Sequence, residues 1–169
     1  MRNIKTFLAI LSLVFAFAFA ASAQNVTLTS LDGGKINVQG QKGKVVILAI
    51  GASWLPLSNQ QAIFTNKLAK KYAGRDVVIY FVTTDSTSAK SKNFASDEDI
   101  RKFVATNKMN VPVLRDSDGA VTLKKFGIDQ LPSFLILDKN GKPATEPYGG
   151  IDPKSDITLS IAQQVDKLL

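Results

Sequence analysis

Two long apolar runs stand out in the first half of the chain, with a helical pattern between them. Lys44–Gly51 and Asp76–Thr83 are apolar almost throughout, which is typical of strands buried on both faces. Between them, apolar side chains recur at i, i+4 and i+8 along a lysine-rich segment, which predicts a helix from Ser58 or Asn59 to about Tyr72. The first half is therefore predicted to form a β-α-β unit.

The second half alternates shorter segments of both kinds. A Ser/Thr/Lys loop over 85–95 leads to Ser96, where a capping-box pattern with Asp99 predicts the start of a second helix. The further predicted elements are a strand Val111–Leu114, a helical turn Val121–Phe126, a strand Ser133–Leu137, an Asn-Gly hairpin turn at Asp138–Gly141 with a short edge strand after it, and a helix opened by Pro153. Residues 25–39 form a polar-apolar lead-in with a turn at Asp32–Gly34. This order predicts an α/β fold, a mixed parallel and antiparallel central sheet with helices on both faces.

The amino-terminal segment has the pattern of an export signal. Arg2 and Lys5 precede the apolar run Phe7–Ala20, and Ala21–Ala23 forms a small-x-small cleavage site. We therefore predict a signal peptide over residues 1–23, a single domain over 24–169, and a periplasmic or secreted location. An uncleaved anchor is the alternative, although the apolar run is short for a membrane span. We expect no stable membrane span after cleavage.

Composition removes several classes of chemistry. The 169 residues contain no cysteine and no histidine, so disulfides, thiol redox chemistry, Cys/His zinc sites and Ser-His or Cys-His nucleophiles are excluded for this chain alone. The net charge of +7 is spread in pairs rather than runs, which argues against nucleic-acid binding. Aspartate-rich stretches at Asp116–Gly119 and Asp138–Gly141 lack the other ligands of a calcium loop and indicate turns. We predict neither a metal site nor a cofactor.

Four segments in order resemble one known family. They are the entry Lys42–Val46 into the first buried strand, the loop Gly51–Ser58, the segment Asn110–Leu114 followed by Asp116, and the stretch Gln130–Lys142. Together they resemble the exported TlpA/ResA-type branch of the thioredoxin-like superfamily, related to the redoxin and AhpC/TSA proteins. The resemblance spans roughly residues 26–168 and implies a thioredoxin fold with a cis peptide bond at Leu131–Pro132.

The chain departs from this family where the family's chemistry is performed. The family carries Trp-Cys-x-x-Cys at the start of the first helix, whereas this chain has Leu55 and Ser58 at the two cysteine positions. Leu55 has no ionisable atom, and a helix dipole cannot ionise the Ser58 hydroxyl. Ser58 is predicted to cap the helix; the alternatives are a hydrogen bond to the thiolate of bound glutathione and a nucleophile that would lack a base.

The residues around the lost cysteines form the candidate binding surface. The resemblance implies that Leu55 is exposed and Leu57 nearly so, and Trp54 is either packed on the sheet edge or available to a partner. The full candidate set is Trp54, Leu55, Pro56, Leu57, Ser58, Leu131 and Pro132. We predict a module that binds an extended peptide or an envelope protein without catalysis. The alternatives are an oxidoreductase that uses an accessory thiol such as glutathione and a structural envelope-assembly module.

Overall fold

A computed structural model describes residues 25–169, and the predicted signal peptide lies outside this range. Six strands form one sheet in the order β2-β1-β5-β4-β3-β6. The strands are β1 Thr27–Ser30, β2 Lys35–Asn37, β3 Val45–Gly51, β4 Val77–Thr83, β5 Val113–Arg115 and β6 Ser133–Leu137. The strands β3, β4 and β5 run parallel, whereas β1, β2 and β6 pair antiparallel with their neighbours. The predicted mixed α/β sheet is confirmed.

In the described part of the chain, four α-helices cover the two faces of this sheet. They are α1 Leu57–Lys71, α2 Asp97–Thr106, α3 Thr122–Phe126 and α4 Thr158–Leu168. The helices α1, α2 and α4 pack on a first apolar cluster that includes Ile47, Phe81 and Phe134. The opposite face carries a second cluster with Leu48, Val82 and Leu135, on which α3 packs. Every residue of β3 is buried, as its continuous apolar run predicts.

Three sequence predictions need correction. The lead-in forms the hairpin β1–β2, and its pairing with β5 supplies the hydrogen bonds that the sequence pattern did not reveal. The edge strand expected after Gly141 is reduced to isolated bridges, because Pro143 at one of them has no N–H to donate. Helix α4 begins at Thr158 rather than at Pro153, because a turn occupies Pro153: Asp152 accepts the Lys154 N–H with its carboxylate (2.9 Å) and the Ser155 N–H with its carbonyl (3.0 Å).

Candidate functional site

The two halves of the predicted surface meet at one edge of the sheet. Ile50 pairs with Ser133, so the loop 52–56 after β3 and the Leu131–Pro132 turn before β6 lie at neighbouring strand ends. This is the edge at which the parallel strands β3, β4 and β5 end, and we call it the carboxyl edge. Open α/β sheets bind ligands at such an edge.

The loop and the first turn of α1 present apolar side chains to solvent. Trp54 is 50% exposed and Leu57 is 37% exposed. Pro56 is also exposed, and Leu55 is half-buried. Neither Trp54, Leu55 nor Leu57 packs against the two core clusters. Their side chains therefore belong to the surface of the domain and not to its core.

Ser58 takes a different position from the one predicted. Helix α1 begins at Leu57, and Pro56 already has helical backbone angles and provides no side-chain cap. The ring of Pro56 fixes its φ in the helical range, so the helix starts before Ser58 can act as a cap. Ser58 is fully buried, and its Oγ accepts the Ala52 N–H at 3.3 Å. The cap prediction is wrong, and the burial removes Ser58 from the binding surface.

The second half of the candidate surface is the turn formed by Leu131 and Pro132. The Leu131–Pro132 peptide bond is cis, and Pro132 is buried. The Leu131 side chain packs against the second core cluster. No hydrogen bond joins the Leu131 backbone to any other residue of the range 25–169. The N–H and C=O of Leu131 therefore have no hydrogen-bond partner within residues 25–169, and the Pro132 ring is buried.

A buried glutamine, which sequence reasoning missed, joins the two halves. Gln61 is fully buried on α1, and its Nε2 donates to the carbonyl oxygens of Ile50 (3.1 Å) and Ser133 (2.7 Å). A Cβ added at Gly51 would lie 2.3 Å from Gln61 Oε1, so this position requires glycine. The signal was present in the sequence, since Gln61 lies one turn before the predicted apolar position Phe64.

A buried carboxylate holds the loop from the other side. Asp85, at the end of β4, is fully buried; its Oδ2 accepts the Ser53 N–H (2.9 Å), and its Oδ1 accepts the Ser53 hydroxyl (2.6 Å). The Thr83 hydroxyl donates a third hydrogen bond to it. These bonds satisfy the charge of the carboxylate and fix the backbone that carries Trp54.

The aspartate-rich stretches act as turns, as predicted. The Asp116 carboxylate accepts the N–H groups of Val121 (3.0 Å) and Thr122 (2.7 Å) at the start of α3. The backbone N–H of Lys142 beside Asp138 lowers the pKa of that carboxyl, and a hydrogen bond from Asn140 adds to this effect.

Within residues 25–169, no group of three or more acidic side chains is arranged to hold a metal ion. In that same range, no helix combines the length and apolar character that a bilayer span needs.

Comparison with known proteins identifies relatives that are named as thiol-disulfide oxidoreductases or as thioredoxin-like. The sequence pattern of the AhpC/TSA family matches residues 20–143. The thiol-disulfide oxidoreductase ResA of Bacillus thuringiensis is 31% identical over 127 residues, which are 75% of this chain and 68% of that protein. The thioredoxin-like protein YneN of Bacillus subtilis is 31% identical over 119 residues, which are 70% of this chain and 65% of YneN.

Solved structures share the same architecture. The pneumococcal exposed lipoprotein thioredoxin Etrx1 of Streptococcus pneumoniae superposes with a TM-score of 0.67 at 28% identity, covering 85% of this chain and 99% of that one. A thiol:disulfide interchange protein DsbE from Chlorobium tepidum superposes with a TM-score of 0.70 at 23% identity, covering 86% and 94%. The second likeness concerns the fold alone.

Proposed function

The chain belongs to the AhpC/TSA family within the thioredoxin-like superfamily, of the TlpA/ResA type, and from this premise we propose that it is a non-catalytic binding module for an extended peptide or a protein. One observation carries the proposal: the two cysteine positions of the family hold Leu55 and Ser58, in a chain without any cysteine. The proposal includes export, with residues 1–23 as a cleaved signal peptide and 24–169 as the working domain.

Thiol-disulfide exchange requires an atom that this chain does not have. The reaction proceeds by attack of a thiolate on a disulfide sulfur, and a thiolate at a helix amino terminus is stabilised by the free N–H groups there. At that position Leu55 presents only carbon, and the Ser58 hydroxyl is buried against the Ala52 N–H. The purified protein should therefore not accelerate insulin reduction by dithiothreitol above background. Turnover that persists after removal of contaminating thioredoxin would overturn this part of the proposal.

The exposed apolar side chains supply the contact energy. Complete burial of an exposed leucine contributes about 1.5–3 kcal/mol, and the parts of Trp54, Leu55 and Leu57 that are still exposed supply a share of that energy on binding. The neighbouring Leu131 backbone, with no hydrogen bond to other described residues, is free to pair with an extended segment. Side-chain contacts from the loop and backbone contacts from the turn are thus available to the same ligand.

The test compares surface variants with a matched apolar control. Trp54→Ala and Leu55→Asp should weaken partner capture and leave the melting temperature nearly unchanged, because these side chains lie outside both core clusters. Leu159→Asp, at a residue that is 62% exposed on α4, should affect neither. A photo-crosslinking amino acid at position 54, with the same group at position 159 as its control, would identify the partner in an envelope extract. If Trp54→Ala unfolds the domain and spares binding, the surface assignment is wrong.

The names of the relatives favour one alternative, a reaction through an accessory thiol. The ResA and YneN relatives are named as a thiol-disulfide oxidoreductase and a thioredoxin-like protein. If this chain retains such a role, glutathione has to bring the sulfur. A peroxide assay with glutathione tests this directly, and a rate above background that Leu55→Asp abolishes would favour the accessory-thiol function over pure binding.

A further inference from the structure

A closed loop stands beside the candidate surface. After Asp85 the chain leaves the carboxyl edge and returns at Phe94, where Ser86 and Phe94 form an isolated β-bridge. The Ser86 N–H donates to the Asn93 carbonyl (2.9 Å), and the Ala95 N–H donates to the Ser86 carbonyl (3.2 Å). These bonds close the base of the loop, and we call the segment between them the 86–94 loop.

The base of the 86–94 loop is anchored on both sides. On one side it follows Asp85, whose carboxylate holds Ser53 and the Trp54 loop. On the other side the Ser86 hydroxyl donates to Asp118 (3.1 Å), and the Thr87 N–H donates to the Ser117 hydroxyl (3.0 Å). The loop is therefore a preformed neighbour of the apolar surface and pays little ordering entropy when a ligand binds.

The tip of this loop carries unpaired positive charge next to an exposed aromatic ring. Lys90 and Lys92 are exposed and make no ion pair with any residue of the range 25–169. Phe94 at the base is 43% exposed. From Ser86 to Ala95 the sequence has two lysines and no acid. The loop thus adds positive charge and one exposed aromatic ring next to the apolar side chains of Trp54, Leu55 and Leu57, which we call the Trp54 surface.

The carboxylates at this edge are almost all engaged within the domain. Asp97 pairs with Arg115 (2.9 Å), and Glu98 pairs with Lys102 (3.0 Å). Asp99 accepts the Ser96 N–H, Asp118 accepts from the Ser86 hydroxyl, and Asp85 and Asp116 are buried among donors. Asp129, two residues before Leu131, is exposed and makes no ion pair within residues 25–169.

We propose that the 86–94 loop selects an acidic polypeptide: the ligand of the Trp54 surface is an extended segment in which apolar residues alternate with glutamate or aspartate. This inference rests on the proposed binding function. Apolar side chains of the segment pack on Trp54 and Leu57, and its carboxylates face Lys90 and Lys92. Two exposed charge pairs each contribute modestly, so the loop sets a preference among ligands of this surface rather than the affinity itself.

Fluorescence anisotropy with three labelled peptides of equal length tests the inference. Leucine alternates with glutamate in the first peptide, with serine in the second and with lysine in the third. The variant Lys90→Glu with Lys92→Glu is compared with Lys42→Glu plus Lys44→Glu, an exposed lysine pair of the same spacing that precedes β3 at the opposite edge. Both variants change the net charge equally, so a difference between them reports position.

The expected result is a ranking of glutamate over serine over lysine, by roughly threefold to tenfold per step at low salt. The Lys90 and Lys92 variant should abolish or reverse the ranking, the control pair should preserve it, and added salt should compress it. Asp129→Asn should strengthen binding of the glutamate peptide.

Other outcomes overturn the inference in distinguishable ways. Equal binding of all three peptides, lost on Trp54→Ala, would refute the acidic preference and leave the proposed function intact. Equal effects of the two lysine-pair variants would show that the preference depends on net charge and not on the position of the lysines. Binding of phosphatidylglycerol vesicles that depends on Lys90 and Lys92, without peptide binding, would assign the loop to lipid. No binding of any peptide would refute the inference; if the crosslinker at position 54 then also captures no partner, the proposed function falls with it.

Discussion

The amino termini of α1 and α2 are built on opposite principles. Helix α2 begins with a complete capping box, in which the Ser96 hydroxyl accepts the Asp99 N–H (3.1 Å) and the Asp99 carboxylate accepts the Ser96 N–H (3.1 Å). Its first turn is Asp97, Glu98 and Asp99. Helix α1 begins at Leu57, and neither a side-chain cap from Pro56 nor an acidic residue in its first turn is present. Acidic side chains compensate the positive end of the α2 dipole, whereas the positive end of the α1 dipole, beside the candidate surface, is not compensated.

The two helices also differ in what holds their first turns in place. Helix α2 is fixed at its end, by the capping box. Helix α1 is fixed from beneath, by the Gln61 amide that bonds Ile50 and Ser133. A helix held from beneath can leave its end accessible, which a surface that binds a ligand requires. The end of α2 is therefore closed by its own side chains, whereas the end of α1 carries the exposed Leu57.

We expect the largest difference between the amino termini of α1 and α2, in disulfide reductase activity, when each terminus receives a pair of cysteines. Leu55→Cys with Ser58→Cys places two sulfurs within one turn, since the Ser58 N–H already donates to the Leu55 carbonyl (2.9 Å). We expect this variant to form a disulfide and, when reduced, to catalyse insulin reduction. Ser96→Cys with Asp99→Cys should remain nearly inactive, because Asp97 and Glu98 raise the thiol pKa there. If both variants are equally active, or the first cannot form a disulfide, the inferred difference between the termini is wrong.

Replacement of Gly51 tests the support beneath α1. In Gly51→Ala the new Cβ lies 2.3 Å from Gln61 Oε1 and 2.9 Å from Ser58 Oγ, so the amide has to move. We expect a loss of about 1–3 kcal/mol in the free energy of unfolding, measured by urea denaturation. Gln61→Ala should cost less in the Gly51→Ala background than in the wild type. Additive losses would show that the two residues are not coupled.

Replacement of Ser96 tests how much the capping box stabilises α2. Ser96→Ala takes away the oxygen that accepts the Asp99 N–H and should lower the free energy of unfolding by about 1 kcal/mol. Ser96→Thr keeps an acceptor at the same position and should recover most of that loss. An equal loss in the alanine and threonine variants would mean that the cap does not stabilise the helix.

The smallest expected difference between the two helices lies in how readily their first turns open at low pH. The Ser96 hydroxyl lowers the pKa of Asp99 below its ordinary 3.8 in the folded state, and the Ser96 N–H contributes further. The stabilisation from this pair is therefore present above pH 3.8 and is lost as the pH falls through the folded value. Amide exchange should show α2 opening at its start before α1 does, and Asp99→Asn should remove this dependence. Equal acid responses of both helices in the wild type would contradict it.

Elements defined by one dominant local pattern were predictable from the sequence. The apolar run before Gly51 and the capping residues at Ser96 gave strand β3 and the start of α2 almost to the residue. The strands β1 and β2 were missed, because their short polar-apolar segments become strands only through pairing with β5. The start of α4 was misplaced, since Pro153 is a strong local signal for a helix but lies in a turn held by Asp152.

The site was predictable where it depends on sequence position and not where it depends on packing. The loss of both cysteines is visible in the sequence, and the family resemblance implies the exposure of Leu57. The resemblance also implies an exposed Leu55, which is in fact half-buried, and the sequence leaves Trp54 undecided between packing and exposure. The burial of Ser58 could not be read from the sequence, because a serine at a helix start is a good cap until Pro56 begins the helix earlier. The connection from Gln61 to Ser133 spans distant parts of the chain, and only the folded sheet brings them together.

The outer side of β6 limits how this protein can join other chains. Phe134 exchanges two hydrogen bonds with Tyr148 (3.0 and 2.7 Å), and the Ala144 N–H donates to Ile136 (2.9 Å). A neighbouring polypeptide therefore finds no free ladder along β6 on which to polymerise. At the far side of the sheet, β2 is only three residues long and begins with a lysine, which also discourages strand-to-strand growth. Both outer strands of the sheet are in this way shielded from strand-to-strand growth.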